Sequence, residues 1–152
     1  MEFQEKNVLV FGSGKSGIAA AELLEKQNAN IFVFEGNEKQ SVAEIKEKSE
    51  SFAKAEIYVG TLPEEVMDKL DFVVLSPGVP TDLPLVNAMR DKKIMIIGEI
   101  ELAYQVAKGK ILAITGTNGK TTTTTLVGEI LSNYFKDVKV VGNIGIPYTS
   151  VA

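Results

Sequence analysis

A short glycine-rich segment, Gly116–Thr121, carries the residue types best suited to phosphate chemistry in this sequence. Two glycines, a lysine and a threonine stand where an apolar run ends and a helical pattern begins. In such a loop the backbone N–H groups surround phosphate oxygens, the lysine reaches the outer phosphates and the hydroxyl binds Mg²⁺. We therefore predict a site for a nucleoside triphosphate such as ATP, with Lys120 as its catalytic cation and Thr121 as the Mg²⁺ ligand.

The spacing of this loop departs from the general phosphate-loop pattern at one position. The general pattern begins with a glycine where this chain has Ile114, which leaves a shorter form. A plain turn leading into a helix is the alternative interpretation. It is disfavoured because Lys120 at a helix N-terminus opposes the helix dipole unless an anion is bound there.

A second glycine-rich segment, Gly12–Gly17, follows the first apolar run and fits the pattern G-x-G-x-x-G. Its glycines allow a tight turn, and the start of the following helix offers unpaired N–H groups to an anion. Glu35 lies about where a carboxylate meets a ribose hydroxyl in dinucleotide-binding proteins. These residues alone are compatible with an NAD-dependent dehydrogenase, or with a turn needed only for helix–sheet packing.

Two further turns are predicted to follow strands. Ser76–Gly78 follows the predicted fourth strand, and Asn143 follows the last predicted strand, between glycines. In a sheet of order 3-2-1-4-5 the first and fourth strands flank the switch point, so the Ser76 turn is expected to face the Gly12–Gly17 loop across one crevice. Asn143 is expected beside the Gly116–Thr121 loop. A simple turn is the alternative for each segment.

Short β-branched runs alternate with longer charged segments of helical period, which predicts a βαβ series. The predicted strands are Asn7–Phe11, Asn30–Glu35, Glu56–Val59, Phe72–Leu75 and Ile94–Ile97. A helix is predicted over Ser16–Lys26. The strand segments are continuously apolar rather than alternating, as expected when helices cover both faces of a parallel sheet. Residues 1–97 are therefore predicted to form a Rossmann-like unit.

A second α/β unit is predicted over residues 98–152. Its predicted elements are a helix over Glu99–Lys108, a strand over Lys110–Thr115, a helix from the phosphate loop to about Phe135, and a strand over Val138–Val141. Two strands are too few to bury both faces of a sheet, so we expect the chain to be a piece of a longer protein. The predicted fold class is α/β, with a Rossmann-like five-stranded parallel sheet followed by an incomplete P-loop α/β domain.

Composition limits the possible functions. The 152 residues carry a formal net charge of −4 and include no cysteine or histidine. Disulfides and thiolate metal sites are therefore excluded, and no basic surface is available for non-specific binding of nucleic acid. No apolar run is long enough to span a membrane, and the N-terminus lacks the features of a signal peptide. We expect a soluble, cytoplasmic protein that binds neither nucleic acid nor membranes.

The stretch Ala113–Thr122 resembles the ATP-binding signature of the Mur ligases and their folylpolyglutamate synthetase relatives, which form amide bonds. The ATP-binding residues that this resemblance implies are Gly116, Thr117, Asn118, Gly119, Lys120, Thr121 and Thr122. Leu75–Pro80 with Pro84, and Gly98–Leu102, are similar to the branch of that family that adds D-glutamate. The resemblance runs along the whole chain and implies a bacterial, cytoplasmic ligase of peptidoglycan precursor synthesis.

The resemblance also implies a reaction and its ligands. In that family ATP phosphorylates a substrate carboxylate, and the amine of D-glutamate attacks the acyl phosphate to give an amide, ADP and phosphate. The implied partners are UDP-N-acetylmuramoyl-L-alanine, D-glutamate and ATP, and the implied cofactors are ATP and Mg²⁺. The residues carried over as UDP-substrate contacts are Lys15, Ser16, Glu35, Gly36, Asn37, Ser76, Pro77, Gly78 and Asn143. Gly36 and Asn37 depart from the residues usual in the family, so backbone contacts are expected there.

Three interpretations stay open at this point. The D-glutamate-adding ligase is preferred over a related ligase such as the one that adds L-alanine, and over an NAD-binding Rossmann domain. The family's later metal-binding residues, its carboxylated lysine and its C-terminal domain would lie beyond Ala152, so this chain is expected to be inactive alone. The complete enzyme is expected to be a monomer, whereas an exposed sheet edge in the second unit could pair between copies of this chain.

Overall fold

The computed structural model of the chain describes residues 2–142 and 146–152. Its centre is a five-stranded parallel sheet of order β3-β2-β1-β4-β5. The strands are β1 (Asn7–Phe11), β2 (Asn30–Glu35), β3 (Glu56–Val59), β4 (Phe72–Leu75) and β5 (Met95–Gly98). The predicted strand order is confirmed, and only the last strand is displaced, by one residue, from its predicted bounds.

Helices connect the strands and continue beyond the sheet. They are α1 (Lys15–Lys26), α2 (Val42–Lys46), α3 (Glu50–Lys54), α4 (Glu64–Met67), α5 (Pro84–Asp91), α6 (Glu99–Val106) and α7 (Lys120–Ser132), followed by a 3₁₀ turn at Tyr148–Ser150. Pro84 begins α5, where its fixed φ suits the first helical position and its missing N–H is not needed. Helices α6 and α7 end two and three residues before the predicted ends at Lys108 and Phe135. None of the helices in the described ranges is long and apolar enough to cross a bilayer.

The sheet is buried on both faces. Along β1, Val8 and Val10 pack with α1 residues such as Leu24 in one apolar cluster, while Leu9 and Phe11 pack with α5 residues such as Val86 in the other. Successive side chains of a strand point to opposite faces, so a continuously apolar strand serves two cores at once. This explains the uninterrupted apolar runs of the sequence.

The strand register brings three loops to one edge of the sheet. Phe11, at the end of β1, is paired with Phe34 of β2 on one side and with Leu75 of β4 on the other. In a parallel sheet all carboxyl ends lie on the same side, and ligands bind there at the point where the strand order reverses. The turns that follow β1, β2 and β4 therefore meet in one place.

The two strands predicted in the second unit do not form, and these predictions are wrong. Neither Lys110–Thr115 nor Val138–Val141 belongs to the sheet, and the segment near Val141 makes one isolated bridge to Ile146. Ile111 is 49% and Leu112 63% exposed. A parallel strand needs a hydrogen-bonded neighbouring strand, and the described part of the chain supplies none for these segments.

Candidate functional site

The first glycine-rich loop turns sharply at Gly12, directly after β1. Gly12 has a φ of +107°, and its N–H donates to the Phe34 carbonyl at 2.8 Å. A Cβ atom at this position would lie 2.9 Å from Ser76 Oγ. Both the backbone conformation and the neighbouring side chain therefore demand glycine here.

Close contact between α1 and this turn depends on Gly17. A Cβ atom on Gly17 would lie 1.9 Å from the Gly12 carbonyl oxygen. The helix thus starts against the end of β1, with Gly14 as its N-cap. In the described chain no side chain caps this helix, and its first turn contains no acidic residue. Its first N–H groups and the nearby Lys15 ammonium are suited to bind an anion.

The turn after β4 lies against the same loop. The Ser76 N–H donates to the Phe11 carbonyl at 3.1 Å, which places the Ser76 hydroxyl beside Gly12 and Gly17. Pro77 and Gly78 follow it and are exposed. The prediction that these two loops face each other is confirmed by this contact. The UDP-binding roles given to Ser76, Pro77 and Gly78 remain predictions.

Glu35, at the end of β2, is tied to the first loop. Its Oε2 accepts hydrogen bonds from the Ser13 N–H at 3.0 Å and from the Ser13 hydroxyl at 2.6 Å. Its Oε1 accepts from the Asn37 N–H at 2.8 Å. Partial burial raises the pKa of Glu35, but the hydrogen bonds from Ser13 and Asn37 and the charge of Lys48 outweigh burial and bring the pKa below its usual value. Glu35 is therefore an anion at neutral pH, and Oε1 retains acceptor capacity for a ligand hydroxyl.

The residues after Glu35 form an open, polar rim. Gly36 has no described atom within 4 Å of the place where a Cβ would stand. The Asn37 side-chain oxygen accepts from the Lys39 N–H at 3.2 Å, which closes a small turn. Both residues are exposed. Their backbone groups are accessible to a ligand, whereas the Asn37 side-chain oxygen is held by the turn.

The sequence interpretation missed three residues in and beside the Gly12–Gly17 loop: Ser13, Gln40 and Lys48. Lys48 Nζ donates to the Ser13 hydroxyl at 2.9 Å, to the Ser13 carbonyl at 3.2 Å and to Gln40 Oε1 at 2.5 Å. Ser13 is only 2% exposed. Its place between two glycines was the one available signal, because Lys48 belongs to an ordinary charged segment far along the chain.

The second glycine-rich loop forms the predicted turn into a helix. Gly116 and Gly119 have positive φ values of 147° and 75°, and Gly119 is the N-cap of α7. No side chain of the described residues caps α7, and its first turn contains no acidic group. Lys120 Nζ donates to the Gly116 carbonyl at 2.5 Å and to the Thr117 carbonyl at 3.3 Å. A phosphate would bind by replacing these carbonyl contacts of the ammonium.

The remaining residues predicted to bind phosphate lie around this turn. Thr117, Asn118, Thr121 and Thr122 are all exposed, so their backbone N–H and hydroxyl groups are accessible. In residues 2–142 and 146–152, no group of three or more acidic, histidine or cysteine side chains is arranged to hold a metal ion. From this part of the chain, the Thr121 hydroxyl is the ligand predicted for Mg²⁺.

Asn143, the last predicted contact, lies outside the described residues. The 3₁₀ turn that follows it in the chain is anchored to α6. The Thr149 N–H and the Thr149 hydroxyl both donate to Glu99 Oε1, each at 2.7 Å. Glu99 begins α6, and both residues are buried. This pair joins positions 50 residues apart and holds the 3₁₀ turn against α6.

Two family models match the chain in succession. The Mur ligase MurD-like N-terminal domain matches residues 6–98, and the Mur ligase middle domain matches residues 114–151. The first match contains the whole five-stranded sheet with the Gly12–Gly17 loop and the Ser76 turn. The second contains the Gly116–Thr121 loop and α7.

Several curated relatives match almost the whole chain, and each is named UDP-N-acetylmuramoylalanine–D-glutamate ligase. The relative from Lachnoclostridium phytofermentans is 55% identical over 99% of this chain and 33% of its own length. The relative from Lachnospira eligens is 50% identical over 98% of this chain and 33% of its own length. The relative from Caldicellulosiruptor bescii is 49% identical over 97% of this chain and 32% of its own length. The chain thus spans about a third of the length of these relatives.

A solved structure supports the fold. SirC, a precorrin-2 dehydrogenase, superposes with a TM-score of 0.50 at 20% identity, covering 90% of this chain and 70% of that one. At this identity the likeness concerns the fold alone, a Rossmann-like α/β arrangement. Because the MurD-like N-terminal model covers residues 6–98 of 152, this chain belongs to the MurD-like family of Mur ligases.

Proposed function

We propose that this chain forms the UDP-substrate-binding part and the ATP-binding loop of a ligase that adds D-glutamate to UDP-N-acetylmuramoyl-L-alanine. The observation that carries the proposal is the crevice between the Gly12–Gly17 loop and the Ser76 turn, with an uncapped helix start beside it. Relatives named for this reaction match along nearly the whole chain. The enzyme would act in peptidoglycan precursor synthesis in the cytoplasm.

The first crevice is proposed to bind the UDP moiety. The N–H groups of Lys15 and Ser16 at the start of α1, together with the Lys15 ammonium, would neutralise the diphosphate. Ser76, Pro77 and Gly78 would contact it from the opposite wall. Charge neutralisation must be local because the whole chain carries a net charge of −4.

The end of β2 is proposed to bind the uracil and ribose. Glu35 Oε1 has capacity for a ribose hydroxyl, and the backbone groups of Gly36 and Asn37 are exposed beside it. Asn143 is proposed to lie near the diphosphate. Its position in the sequence, after the Val138–Val141 segment, supports this assignment, which otherwise rests on resemblance alone.

The second loop is proposed to bind ATP. The N–H groups of Gly116–Thr122 would surround the phosphates and Lys120 would neutralise the transferred one, so that this loop mainly positions charge. Bound Mg²⁺, held in part by Thr121, would supply further neutralisation of the phosphates. The substrate carboxylate would attack the γ-phosphorus of ATP and displace ADP. The D-glutamate amine would then attack the acyl phosphate, lose a proton and displace phosphate, which gives the amide. The complete enzyme is proposed to act as a monomer.

The alternative is an NAD-binding Rossmann domain. It is favoured by one observation, the position of Glu35 at the end of β2, where dinucleotide-binding folds place a ribose-binding carboxylate. The Ser13 hydrogen bonds use Oε2 and leave Oε1 available to a ribose of either ligand, so Glu35 by itself does not distinguish NAD from the UDP substrate.

A thermal-shift titration distinguishes these possibilities. The 152-residue chain would be melted with UDP-N-acetylmuramoyl-L-alanine, UDP-N-acetylmuramate or NAD at equal concentrations. A ligand at about 100 times its Kd stabilises the native state by about 2.7 kcal/mol. The D-glutamate ligase predicts the largest shift with UDP-N-acetylmuramoyl-L-alanine. A shift with NAD alone would exclude the proposed function.

A further inference from the structure

Four polar side chains beside the first loop form one hydrogen-bonded group: Ser13, Glu35, Gln40 and Lys48, here called the Ser13 cluster. The Ser13 hydroxyl lies 2.6 Å from Glu35 Oε2 and 3.3 Å from Gln40 Oε1. A hydroxyl has one proton, so the shorter contact, to Glu35, takes it. The Lys48 ammonium then donates to the hydroxyl oxygen at 2.9 Å. The cluster joins the first loop, the end of β2 and the connection between α2 and α3.

Lys48 has no donor left for a ligand. An ammonium has three protons, and Nζ has three acceptors, the Ser13 hydroxyl, the Ser13 carbonyl and Gln40 Oε1, at 2.9, 3.2 and 2.5 Å. Its contact with a main-chain carbonyl inside the glycine-rich loop acts on the loop itself. Lys48 can therefore influence a ligand through its charge and through the conformation of that loop, but not by a direct hydrogen bond.

The carbonyl contact sets the direction of one loop N–H. In a trans peptide the C=O and N–H bonds point in opposite directions, and the described chain has no cis peptide. With the Ser13 carbonyl held towards Lys48, the Gly14 N–H points away from it. Gly14 is exposed, with no described atom within 4 Å of its Cβ position. The Ser13 N–H is bound to Glu35, so the Gly14 N–H is the first of the loop available to an anion.

We propose that Lys48 is a positioning residue for nucleotide binding, which holds the Ser13–Gly14 peptide so that the Gly14 N–H and the start of α1 face the diphosphate of the UDP moiety. This inference rests on the proposed function. Two further side chains support this arrangement. Glu35 accepts from the Ser13 N–H, and Gln40 accepts from the Lys48 ammonium. Lys15 and Ser16 remain the residues proposed to contact the diphosphate, and Gly14 joins them through its N–H.

The test compares UDP with uridine, which lacks the phosphates, by NMR titration of the 152-residue chain. Lys48→Met keeps the apolar stem and removes the ammonium. We expect its UDP affinity to fall about tenfold, as for loss of a hydrogen bond from a charged group, and its uridine affinity to change less than about twofold. Lys48→Arg, which can still donate to the Ser13 carbonyl, should recover most of the UDP affinity.

The matched control is Lys46→Met, which removes the same charge two residues away. Lys46 is exposed and its side chain makes no hydrogen bond or ion pair in the described residues. Its UDP affinity should match that of the unmodified chain. Melting temperatures without ligand, measured for all variants, identify any that fails to fold. Should Lys48→Met fail, Lys48→Gln takes its place, because its amide keeps one donor for the Ser13 carbonyl and should give an intermediate UDP affinity.

Distinct results overturn the inference and the proposed function. A Lys48→Met chain that binds UDP within about twofold of the unmodified chain would overturn the positioning role. Equal losses for UDP and uridine, or an equal loss in the Lys46→Met control, would also overturn it, since neither involves the loop peptide specifically. If the unmodified chain binds NAD but neither UDP nor UDP-N-acetylmuramoyl-L-alanine, the proposed function fails before Lys48 is tested.

Discussion

Single atoms decide the shape of the first loop. A Cβ atom on Gly17 would lie 1.9 Å from the Gly12 carbonyl oxygen, so only the hydrogen of glycine fits there. Gly12 itself has a positive φ of 107°. Both glycines belong to a local pattern that the sequence displays directly. Lys48 does not, because its contact with Ser13 spans 35 residues and depends on the fold of α2 and α3. The loop was therefore predictable and the side chain that holds it was not.

Substitution of Gly17 should be costly. In Gly17→Ala the new methyl group meets the Gly12 carbonyl, which is main chain and cannot rotate away. We expect the free energy of unfolding to fall by about 2–3 kcal/mol, measured by urea titration. Gly36→Ala is the control, since no described atom lies within 4 Å of its Cβ position. Equal stability of the two variants would show that α1 does not pack on the turn as described.

Glu35 should make part of the stability depend on pH. Burial raises the pKa of Glu35. The Ser13 and Asn37 hydrogen bonds and the Lys48 charge lower it by more than burial raises it, so the pKa lies below the ordinary value of 4.5. A carboxyl with a lowered folded-state pKa stabilises the fold above its unfolded pKa, and this contribution is lost as the pH falls through the folded-state pKa. Glu35→Gln should therefore destabilise the chain at about pH 7 and much less at about pH 3.

Urea unfolding at both pH values measures this effect. The Glu35→Gln and unmodified chains share their other carboxylates of lowered pKa, Glu25, Glu44 and Asp71, so only the difference between the two chains reports on Glu35. Glu47→Gln is the control, as its side chain makes no hydrogen bond in the described part of the chain. A difference between the Glu35→Gln and unmodified chains that is independent of pH would contradict the assignment.

Among the elements, an apolar run predicts a strand only where the chain also supplies a neighbouring strand. The strands of the sheet were predictable because each is an apolar run between helical segments and each finds a neighbour in this chain. The Lys110–Thr115 segment has a similar apolar pattern, yet it forms no strand because the described residues offer it no sheet partner. Helix α7 forms despite Thr121–Thr125, since its hydrogen bonds are internal and need no partner.

Helix α2 depends on its N-cap. The Ser41 hydroxyl accepts from the Glu44 N–H at 3.2 Å, and the Glu44 carboxylate accepts from the Ser41 N–H at 2.7 Å. Ser41→Ala removes the first of these bonds and should lower the free energy of unfolding by about 1 kcal/mol in urea titration. Thr61→Ala is the control, because this exposed hydroxyl has no hydrogen bond in the described residues. No difference between the two variants would mean that α2 does not require its cap.

In the molecule as a whole, one buried pair, Glu99 and Thr149, joins the start of α6 to the 3₁₀ turn near the end of the chain. Glu99 and Thr149 are 3% and 2% exposed. Ala152 also packs against the core cluster that contains α1 and Leu102. This contact was not predictable, because a glutamate at a helix start and a threonine in a polar segment are each common at a surface. The domain boundary predicted after residue 97 remains a prediction.

Loss of the Thr149 hydroxyl should loosen the end of the chain. Thr149→Val is close in shape but leaves Glu99 Oε1 with one of its two donors. We expect a loss of about 1–3 kcal/mol in urea unfolding, together with faster proteolysis after residue 142. Ser150→Ala, an exposed neighbour, is the control. Unchanged stability and unchanged proteolysis in Thr149→Val would show that the pair does not anchor this segment.

The crevice between the first loop and the Ser76 turn is proposed to bind a UDP substrate. The most direct measurement follows backbone amide signals of the 152-residue chain by NMR during titration with UDP-N-acetylmuramoyl-L-alanine. Binding in this crevice predicts saturable shifts at Gly14, Lys15, Ser16 and Ser76, with the Gly116–Thr121 signals little changed. Shifts absent from the first loop, or produced there by NAD and not by the UDP substrate, would contradict it.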